Sequence, residues 1–434
     1  MRKRGIVFAF MLSGVFTALL GLLSNLVTTY LAPSLENYSM QIIIGLVVIF
    51  VISVVVSTYV FVRTLPDDST SILPTAIPGT QLEHVPAQVN QLPERPYREL
   101  VGRDASVGEI MAALRDPKGK WMIGLDGIGG IGKTALSLEI AELCQRDGLF
   151  DTVVWEQAPK EQGQWNAISG GSLTFETVLD SIARRLGAGD ILQLKYQEKL
   201  ERIRSLVKTK RVLVVLDNLE TAKENQNEIA RKLMPLLNPG KAILTSRHRF
   251  DNEVFAIHMG GLESNSALRF IRGEAQEKNI DRVSSATDND LRQVARITGG
   301  SPLAMKLVIG QLIHLPLDVV LNNLKDVTLS SDNQEGEYVR FYKSIFMPSW
   351  KLLSDEAQHL LIAMANFAPN VGGTYEAIQA TSGLSDDILS PNIDELWRFS
   401  FLDVGKTGSL KKVRYYLHAL TQYFVLSDIV KVLK

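Results

Sequence analysis

The sequence predicts an α/β fold in which helices cover both faces of a parallel sheet, the doubly wound arrangement, followed by a helical region and a winged helix. Between residues 100 and 260, apolar runs of strand length alternate with amphipathic helical patterns, which is typical of such a sheet. After residue 262 the apolar spacing is helical. The last predicted strands turn around residues 405–408, and helices followed by a terminal hairpin indicate a winged helix.

The predicted strands of the sheet are short and apolar. Residues 212–216 are five consecutive apolar residues, as expected for a strand that is buried on both faces. Gly187 is predicted to end a helix as its C-terminal cap. In chain order the sequence predicts helix 106–116, strand 121–125, helix 133–146, strand 150–158, helix 173–187, helix 196–210 and strands 212–216, 241–247 and 254–260.

A glycine-rich stretch lies between the first strand and the helix that follows it. Residues 127–134, GIGGIGKT, match the phosphate-loop pattern G-x-x-x-x-G-K-[ST] at every fixed position. Glycine permits positive φ and a close approach of backbone N–H groups to phosphate oxygens, and the helix N-terminus favours an anion. In this pattern Lys133 contacts the β- and γ-phosphates and the Thr134 hydroxyl binds Mg²⁺. The predicted nucleotide-binding residues of this stretch are Gly127, Ile128, Gly129, Gly130, Ile131, Gly132, Lys133, Thr134 and Ala135.

Polar residues at the ends of two later strands fit the same site, because ligands of doubly wound sheets bind at the carboxyl ends of the strands. Asp217 ends one strand, and an acidic residue opposite a phosphate loop holds Mg²⁺ directly or through water. Arg247 ends the next strand and is predicted either to contact the γ-phosphate or to form a surface salt bridge. We therefore expect Lys133, Asp217 and Arg247 to act on the phosphates of ATP or ADP, with Thr134 and Asp217 as metal ligands.

Two uncharged stretches, residues 6–32 and 42–62, precede this region. Each exceeds the roughly 20 residues that a helix needs to cross a membrane, so the sequence predicts an N-terminal transmembrane helical hairpin. Lysine and arginine flank only the outer ends of the pair, which places the N-terminus and the remaining chain in the cytoplasm, at the plasma membrane. The rival interpretation of the first stretch is a cleaved signal peptide. The hairpin is predicted to be either an anchor or an effector that assembles in the lipid bilayer.

Length, charge and cysteine content limit the possible classes of protein. The chain has 434 residues, enough for several domains, and a net charge of −1, so no global basic field favours nucleic acid. The single cysteine, Cys144, excludes an internal disulfide and is predicted to be a buried thiol.

Six short motifs, in this order, resemble the NB-ARC branch of the STAND class of P-loop NTPases, the signal-transducing ATPases with numerous domains. Of the six motifs, the phosphate loop is the one that is specific by itself, and the others are weak individually. Their common order and spacing strengthen the resemblance, which extends from about residue 100 to about residue 425. Besides GIGGIGKT, the motifs are VGRD at 101–104, VLVVLDNLE at 212–220, LTSR at 244–247, GGSPLA at 299–304 and LHAL at 417–420.

This resemblance implies further nucleotide contacts and three folded modules. Val101 and Arg103 would form part of the adenine and nucleotide pocket, and Pro302 would pack on the adenine or sugar. His418 would touch the β-phosphate of ADP and lock a closed state, and Arg247 would be the sensor arginine. The predicted domains are residues 1–63 with the two transmembrane helices, a proline-rich linker at 64–98, a nucleotide-binding P-loop domain at 99–260, a small helical domain at 261–335 and a winged-helix domain at 336–434.

The sequence departs from the family pattern at points that bear on function. Family members often carry a second acidic residue after the metal-binding aspartate, and here that residue is Asn218. Because an amide cannot act as a general base, either Glu220 or a positioned water replaces it, or hydrolysis is slow. The family usually ends in a repeat array that senses a trigger, and the sequence shows no such internal repeat. We expect the sensor to be missing, supplied by a separate protein or replaced by the winged helix.

The function predicted from these features is a membrane-tethered ADP/ATP switch with an ADP-bound resting state, ATP-driven opening or homo-oligomerisation, and slow hydrolysis. One alternative is a turnover ATPase, which Asn218 disfavours. Another is a DNA-binding transcriptional regulator, which the neutral net charge and the membrane tether disfavour. The basic hairpin residues that would contact DNA are Lys406, Lys411, Lys412 and Arg414.

Overall fold

The computed structural model describes residues 92–158, 173–324, 335–367, 372–405 and 413–430. All of them belong to one unit of the chain, His84–Lys434. Within these ranges no helix is both long and apolar enough to cross a bilayer. The predicted transmembrane helices, 6–32 and 42–62, lie outside the described residues, as does the predicted linker up to residue 91.

The first half of the described chain alternates strands and helices, as predicted. It contains helix α1 (Asp104–Arg115), strand β1 (Met122–Asp126), helix α2 (Lys133–Arg146), strand β2 (Thr152–Gln157), helices α3 (Phe175–Arg185) and α4 (Tyr196–Val207), strand β3 (Val212–Asp217), helix α5 (Gln226–Leu233), and strands β4 (Lys241–Ser246) and β5 (Phe255–His258).

The five strands form one parallel sheet in the order β2-β3-β4-β1-β5. Strand β4 is inserted between β1, which precedes the phosphate loop, and β3, which ends at Asp217. Because the strands are parallel, all of their carboxyl ends meet at the same edge of the sheet. The end of β4 therefore lies between the phosphate loop and Asp217, at the centre of the edge where a ligand is expected.

Helices cover both faces of this sheet. Along β3, Leu213 and Val215 pack in the core that includes α1 and α2, whereas Val214 and Leu216 pack in the core that includes α3, α4 and α5. Every residue of β3 and β4 is buried, which explains why these strands are continuous apolar runs in the sequence. The predicted doubly wound parallel α/β sheet is confirmed.

Local predictions in this half differ in outcome. Gly187 follows α3 with φ of +74°, as expected of a C-terminal cap. Cys144 is buried, and burial raises the pKa of its thiol to about 12, so the prediction of a buried thiol is confirmed. Helix α5 is absent from the predicted elements, because its eight residues are mostly polar and only Ile229 and Leu233 supply large buried apolar side chains.

From residue 262 the chain is mainly helical, as predicted. It contains helices α6 (Ser264–Glu277), α7 (Asp281–Ser284), α8 (Asp288–Ile297), α9 (Pro302–Gln311), α10 (Leu317–Leu324), α11 (Glu335–Lys351), α12 (Asp355–Met364), α13 (Tyr375–Ser382), α14 (Asp386–Arg398) and α15 (Ala419–Phe424), and strands β6 (Gly373–Thr374), β7 (Leu402–Val404) and β8 (Arg414–Leu417). The three strands form an antiparallel sheet in the order β6-β8-β7.

Strands β7 and β8 are the two strands of the predicted terminal hairpin, and their turn, 406–412, lies outside the described residues. The helices and this small sheet share one hydrophobic core, which extends in sequence from Leu262 to Ile429. The predicted boundary between 261–335 and 336–434 therefore falls within a single core. The winged-helix assignment of the second range stays a prediction.

Two backbone segments cross closely where the parallel sheet meets the helical region. The Leu262 N–H donates to the Gly300 carbonyl oxygen at 2.8 Å, and a Cβ at Gly261 would overlap the Gly299 carbonyl oxygen. Gly261→Ala should therefore lower the free energy of unfolding by about 1–3 kcal/mol, the usual cost of overpacking. Urea unfolding of a fragment that comprises residues 84–434 measures this difference.

The neighbouring Gly260 provides a matched control, because no atom lies within 4 Å of the position that its Cβ would take. Gly260→Ala should change the free energy of unfolding by less than about 0.5 kcal/mol, as is usual for an exposed position where the added methyl group touches nothing. Equal unfolding free energies for the Gly260 and Gly261 variants would contradict the close crossing of the two segments.

Candidate functional site

The phosphate loop connects β1 to α2 and has the backbone conformation that its glycines permit. Gly127, Gly130 and Gly132 have φ values of +144°, +69° and +105°, which residues with a Cβ rarely adopt. A Cβ at Gly130 would also lie 2.7 Å from the Leu303 side chain. Gly132 is the N-cap of α2, whose first turn contains no acidic residue. No carboxylate of the helix itself therefore competes with an anionic ligand for the N–H groups at the helix start.

A cavity of about 250 Å³ opens at the carboxyl edge of the sheet. Gly127 and Ile128 do not line it, because they precede the part of the loop that faces the cavity, and neither does Asp217. The predicted site residues that do line it are Val101, Arg103, Gly129, Gly130, Ile131, Gly132, Lys133, Thr134, Ala135, Glu220, Arg247, Pro302 and His418. The fold thus brings most of the predicted residues around one space.

Lys133 is buried at the start of α2. Its Nζ donates to the carbonyl oxygens of Gly127 at 2.7 Å and Ile128 at 3.0 Å. Burial disfavours the charged ammonium and lowers the pKa of Lys133 to about 8, and the Glu220 carboxylate is the largest charge that opposes this shift. A phosphate group in the cavity would stabilise the ammonium that burial destabilises, so anion binding and the lysine charge favour one another.

Thr134 and Asp217 provide oxygen atoms of the kind that Mg²⁺ binds. The Thr134 hydroxyl lies 3.0 Å from both carboxylate oxygens of Asp217, and Thr245 on β4 donates to Asp217 Oδ1 at 2.6 Å. Among the described residues no group of three or more acidic, histidine or cysteine side chains is arranged to hold a metal by itself. Mg²⁺ at phosphate sites needs only one or two protein oxygens beside the phosphates and waters. The pair therefore fits a Mg²⁺ ion that binds together with a nucleotide.

Arg103 precedes α1, and its side chain is bonded to the backbone of the phosphate loop. Its Nη2 donates to the carbonyl oxygens of Ile131 at 3.0 Å and Gly260 at 2.8 Å. Burial lowers the pKa of its guanidinium. Arg103 and Val101 both line the cavity, and the observed hydrogen bonds of Arg103 fix the loop backbone to the segment after β5.

The family of this site follows from a comparison with known domains. Residues 103–278, which include the phosphate loop, Asp217 and Arg247, match the model of the NB-ARC domain. The chain contains an NB-ARC domain. The resemblance predicted from the six motifs is thereby confirmed for this part of the chain.

The chain is distantly similar to several curated proteins and solved structures. The chain is 25% identical over 337 residues to the regulatory protein AfsR of Streptomyces griseus, over 75% of this chain and 32% of AfsR. It is 25% identical over 236 residues to the disease resistance protein RPP8 of Arabidopsis thaliana, over 51% of this chain and 24% of RPP8. A STAND protein with a tetratricopeptide repeat sensor from Pyrococcus horikoshii aligns with a TM-score of 0.46 and 17% identity, over 79% of this chain and 44% of that one. The chain spans about a quarter to a third of the length of the two curated relatives.

Asn218 follows Asp217 in the NB-ARC domain and supports the turn after β3. It has φ of +66°, a left-handed conformation that asparagine tolerates better than most residues. Its N–H donates to the Thr245 hydroxyl at 2.8 Å, and its side-chain amide donates to the Thr221 hydroxyl at 2.8 Å. The Asn218 side chain is thus part of the turn and supplies no general base.

Glu220 and Arg247 form an ion pair beside the phosphate loop of the NB-ARC domain. Glu220 Oε1 lies 2.9 Å from Arg247 Nε, and the side chains are only 6% and 22% exposed. Arg247 is therefore in a salt bridge, but the pair lines the cavity instead of lying on the outer surface. Glu220, the predicted substitute for the missing base, is held by the predicted phosphate sensor.

The helical region supplies the wall of the cavity that faces the NB-ARC sheet. Pro302 begins α9 and lines the cavity, and the next residue, Leu303, donates its N–H to the Gly130 carbonyl oxygen at 3.3 Å. His418 is the N-cap of α15 and also lines the cavity, and its Nδ1 accepts the Leu420 N–H at 3.1 Å. In a neutral imidazole this acceptor role places the proton on Nε2.

The segment 92–100, named here the N-terminal strap, also contributes to the cavity wall and is missing from the predicted site. Six of its residues line the cavity: Pro93, Glu94, Pro96, Tyr97, Glu99 and Leu100. The Tyr97 hydroxyl donates to the Ala135 carbonyl oxygen in the first turn of α2 at 2.9 Å. Arg95 forms an ion pair with Glu139 of the same helix at 3.0 Å. The strap is therefore attached to the helix that starts at the phosphate loop.

The strap also reaches the C-terminal sheet, because the Tyr416 hydroxyl on β8 donates to Glu94 Oε2 at 2.9 Å. The predicted linker, 64–98, thus extends too far toward the C-terminus. Residues 92–98 belong to the folded unit, and several of them form part of the cavity wall. Prolines at 93 and 96 suggested a linker, whereas partly buried Leu92 and Tyr97 pack on the core of the sheet. The apolar residues that flank the two prolines, Leu92 and Tyr97, were the signal that could have revealed the strap.

Proposed function

We propose that this chain is a signalling switch in which ADP holds the protein closed and its exchange for ATP opens it. The main support is that one cavity is lined by the phosphate loop of the NB-ARC domain, by Arg247 and by His418 from the C-terminal sheet region. A nucleotide in this cavity would contact both the domain that binds phosphates and the region that has to move. Nucleotide identity could therefore control the contact between the two.

In the proposed resting state, the diphosphate of ADP lies against residues 129–135, where the start of α2 and Lys133 supply positive potential. Pro302 contacts the adenine or the sugar. His418 donates its Nε2–H to the β-phosphate, and this bond keeps α15 and the C-terminal sheet on the nucleotide. Val101 and Arg103 complete the pocket from the other side.

In the proposed active state, the additional phosphate of ATP lies near Arg247, and Thr134 and Asp217 hold Mg²⁺. Bound Mg²⁺ would neutralise part of the phosphate charge. Reversing a closed-to-open ratio from 99:1 to 1:99 requires about 5.5 kcal/mol of differential binding, so the two nucleotides must differ strongly in their contacts. Hydrolysis is slow in this proposal, because Asn218 is no base and Glu220 is paired with Arg247.

The tether and the assembly step are further parts of the proposal. The uncharged stretches 6–32 and 42–62 would anchor the chain in the plasma membrane, with the NB-ARC domain in the cytoplasm. Opening would expose surfaces for homo-oligomerisation and would cluster the membrane hairpins. In this proposal the strap would take part in the coupling, because Tyr97 is bonded to α2 and Glu94 to Tyr416 of β8. A separate sensor protein would supply the trigger.

Replacing His418 tests the proposed lock. His418→Ala in the full chain should accelerate ADP release by about tenfold, because a hydrogen bond to a charged group contributes about 1.5–3 kcal/mol. Stopped-flow displacement of a fluorescent ADP analogue measures the rate. His418→Asn keeps an oxygen that can cap the Leu420 N–H, whereas its amide N–H lies nearer to the backbone than the imidazole Nε2–H. It should therefore accelerate release about equally and separate the lock from the cap. The exposed His248, which does not line the cavity, gives the control variant His248→Ala.

Unchanged ADP release in both His418 variants would contradict the proposed role of His418, and absence of nucleotide binding by the wild-type chain would contradict the proposed switch.

Other measurements test the oligomerisation and the alternative functions. Light scattering with ADP and with ATP shows whether the mass of the particle rises when ATP replaces ADP. Continuous phosphate release at about 10 per second, a typical enzyme rate, would favour the turnover ATPase instead. Salt-dependent DNA binding would favour the regulator. Of its four basic hairpin residues, Arg414 donates to the Gly372 carbonyl oxygen, and the other three lie outside the described residues.

A further inference from the structure

Glu220 lies at the end of the cavity that the phosphate loop lines. It belongs to the 3₁₀ turn Leu219–Thr221 directly after β3, and its side chain is 6% exposed. The pairing of β3 with β4 brings this turn beside the residue that follows β4, Arg247. A carboxylate therefore lies beside Arg247, to which the proposed function assigns the γ-phosphate, and lines the same cavity as Lys133.

Only one of the two carboxylate oxygens of Glu220 is paired among the described residues. Oε1 lies 2.9 Å from Arg247 Nε, whereas Oε2 is buried and has no hydrogen-bond partner there. Leaving a buried acceptor without a partner costs free energy. The ion pair is consequently less stable than a fully bonded carboxylate–guanidinium pair and can be rearranged by a competing anion.

Glu220 also acts on the second phosphate-binding cation. Among the charges that influence the pKa of Lys133, the Glu220 carboxylate raises it most, and Arg247 lowers it. Glu220 and Arg247 are thus close enough to influence the charge of Lys133. The Glu220 carboxylate therefore has the same sign of charge that a phosphate group would bring to Lys133 and Arg247.

We propose that Glu220 is a specificity-determining residue that competes with the γ-phosphate of ATP for Arg247 and thereby favours ADP. This inference rests on the proposed function, in which the cavity binds both nucleotides. ADP lacks the γ-phosphate, so the Glu220–Arg247 pair stays intact when ADP binds. ATP can recruit Arg247 only by breaking or sharing that pair, and the carboxylate repels the additional phosphate charge.

Glu220→Gln tests this inference, because the amide keeps the shape of the side chain and an oxygen that can accept the Arg247 N–H. The affinity of the full chain for a non-hydrolysable ATP analogue should rise about tenfold relative to its affinity for ADP, the order expected for one partly screened charge. Titration calorimetry measures both dissociation constants. Glu220→Asp retains the charge and should keep the ratio near the wild-type value, and the exposed Glu109→Gln is the matched control.

The same substitution in an Arg247→Ala background separates competition for Arg247 from other effects. There the shift in the ratio should shrink to less than about threefold, because the group being contested is gone. A ratio unchanged by Glu220→Gln, weaker binding of the ATP analogue, or a full shift that persists without Arg247 would each overturn the inference. If the wild-type chain binds neither nucleotide, the proposed function itself fails, and that result is distinct from all of these.

Discussion

Replacing Lys133 with alanine is expected to abolish nucleotide binding by the full chain, with a loss of at least about 100-fold in affinity for both ADP and ATP. Hydrogen bonds between charged groups contribute about 1.5–3 kcal/mol each, and two of them account for a loss of this size. In the structure Lys133 Nζ is held by the carbonyl oxygens of Gly127 and Ile128 at the base of the loop. Titration with a fluorescent nucleotide measures the loss.

Lys241 provides a matched control for this variant. It too is buried, burial lowers the pKa of its ammonium, and its Nζ donates to backbone carbonyl oxygens, those of Asp116 at 2.8 Å and Lys120 at 3.0 Å. It begins β4 and therefore lies at the edge of the sheet opposite the cavity. Lys241→Ala should lower stability but leave nucleotide affinity within about threefold, since it contacts no ligand. Wild-type affinity in the folded Lys133 variant, as checked by circular dichroism, would contradict the assigned role of the phosphate loop.

The phosphate loop could be predicted because each fixed position of its pattern answers a local requirement. Gly130 and Gly132 adopt positive φ, and α2 begins at Lys133 as the pattern demands. Both requirements concern neighbouring residues only, so the spacing in the sequence is sufficient to specify them. The helix over residues 133–146 was predicted with the same limits that the structure has.

The pair formed by Glu220 and Arg247 could not be predicted in the same way. Each residue was expected near the phosphates, because each follows the carboxyl end of a strand. Whether they touch depends on β3 and β4 being neighbours in the sheet, and the order β2-β3-β4-β1-β5 arises from packing among all strands and helices. The apolar composition of the strands does not determine that order.

The position of the strap could not be predicted either, because its contacts join residues that are far apart in the sequence. Its contacts join Tyr97 to Ala135 and Glu94 to Tyr416, residues that are 38 and 322 positions apart. Local composition, with two prolines in a short polar stretch, indicates a linker and contains no information about such distant partners. Folding of the rest of the chain is what creates the surface on which the strap packs.

Asp217→Asn is expected to abolish the Mg²⁺ dependence of ATP affinity and to slow hydrolysis by at least about 100-fold. Mg²⁺ prefers charged oxygen ligands, and a neutral amide offers one weak oxygen in place of a carboxylate. In the structure both Asp217 oxygens accept the Thr134 hydroxyl and Oδ1 also accepts the Thr245 hydroxyl, so the carboxylate is held in one orientation. Titrations of ATP with Mg²⁺ and with EDTA measure the dependence, and affinity for metal-free ADP should be nearly unchanged.

Two further variants show whether Mg²⁺ dependence requires the charge of Asp217, the orientation of its carboxylate, or merely a buried aspartate at a strand end. Thr245→Val retains the carboxylate but removes one of its donors, so Mg²⁺ dependence should persist with an affinity reduced by about tenfold, the lower end of the value of one hydrogen bond to a charged group. Asp126→Asn alters another buried aspartate at a strand end, one that pairs with His258 and does not line the cavity. It should leave Mg²⁺ dependence intact. If Asp217→Asn instead binds ATP with the same Mg²⁺ dependence as the wild type, the metal is held by the phosphates and waters alone, and Asp217 serves only to orient Thr134.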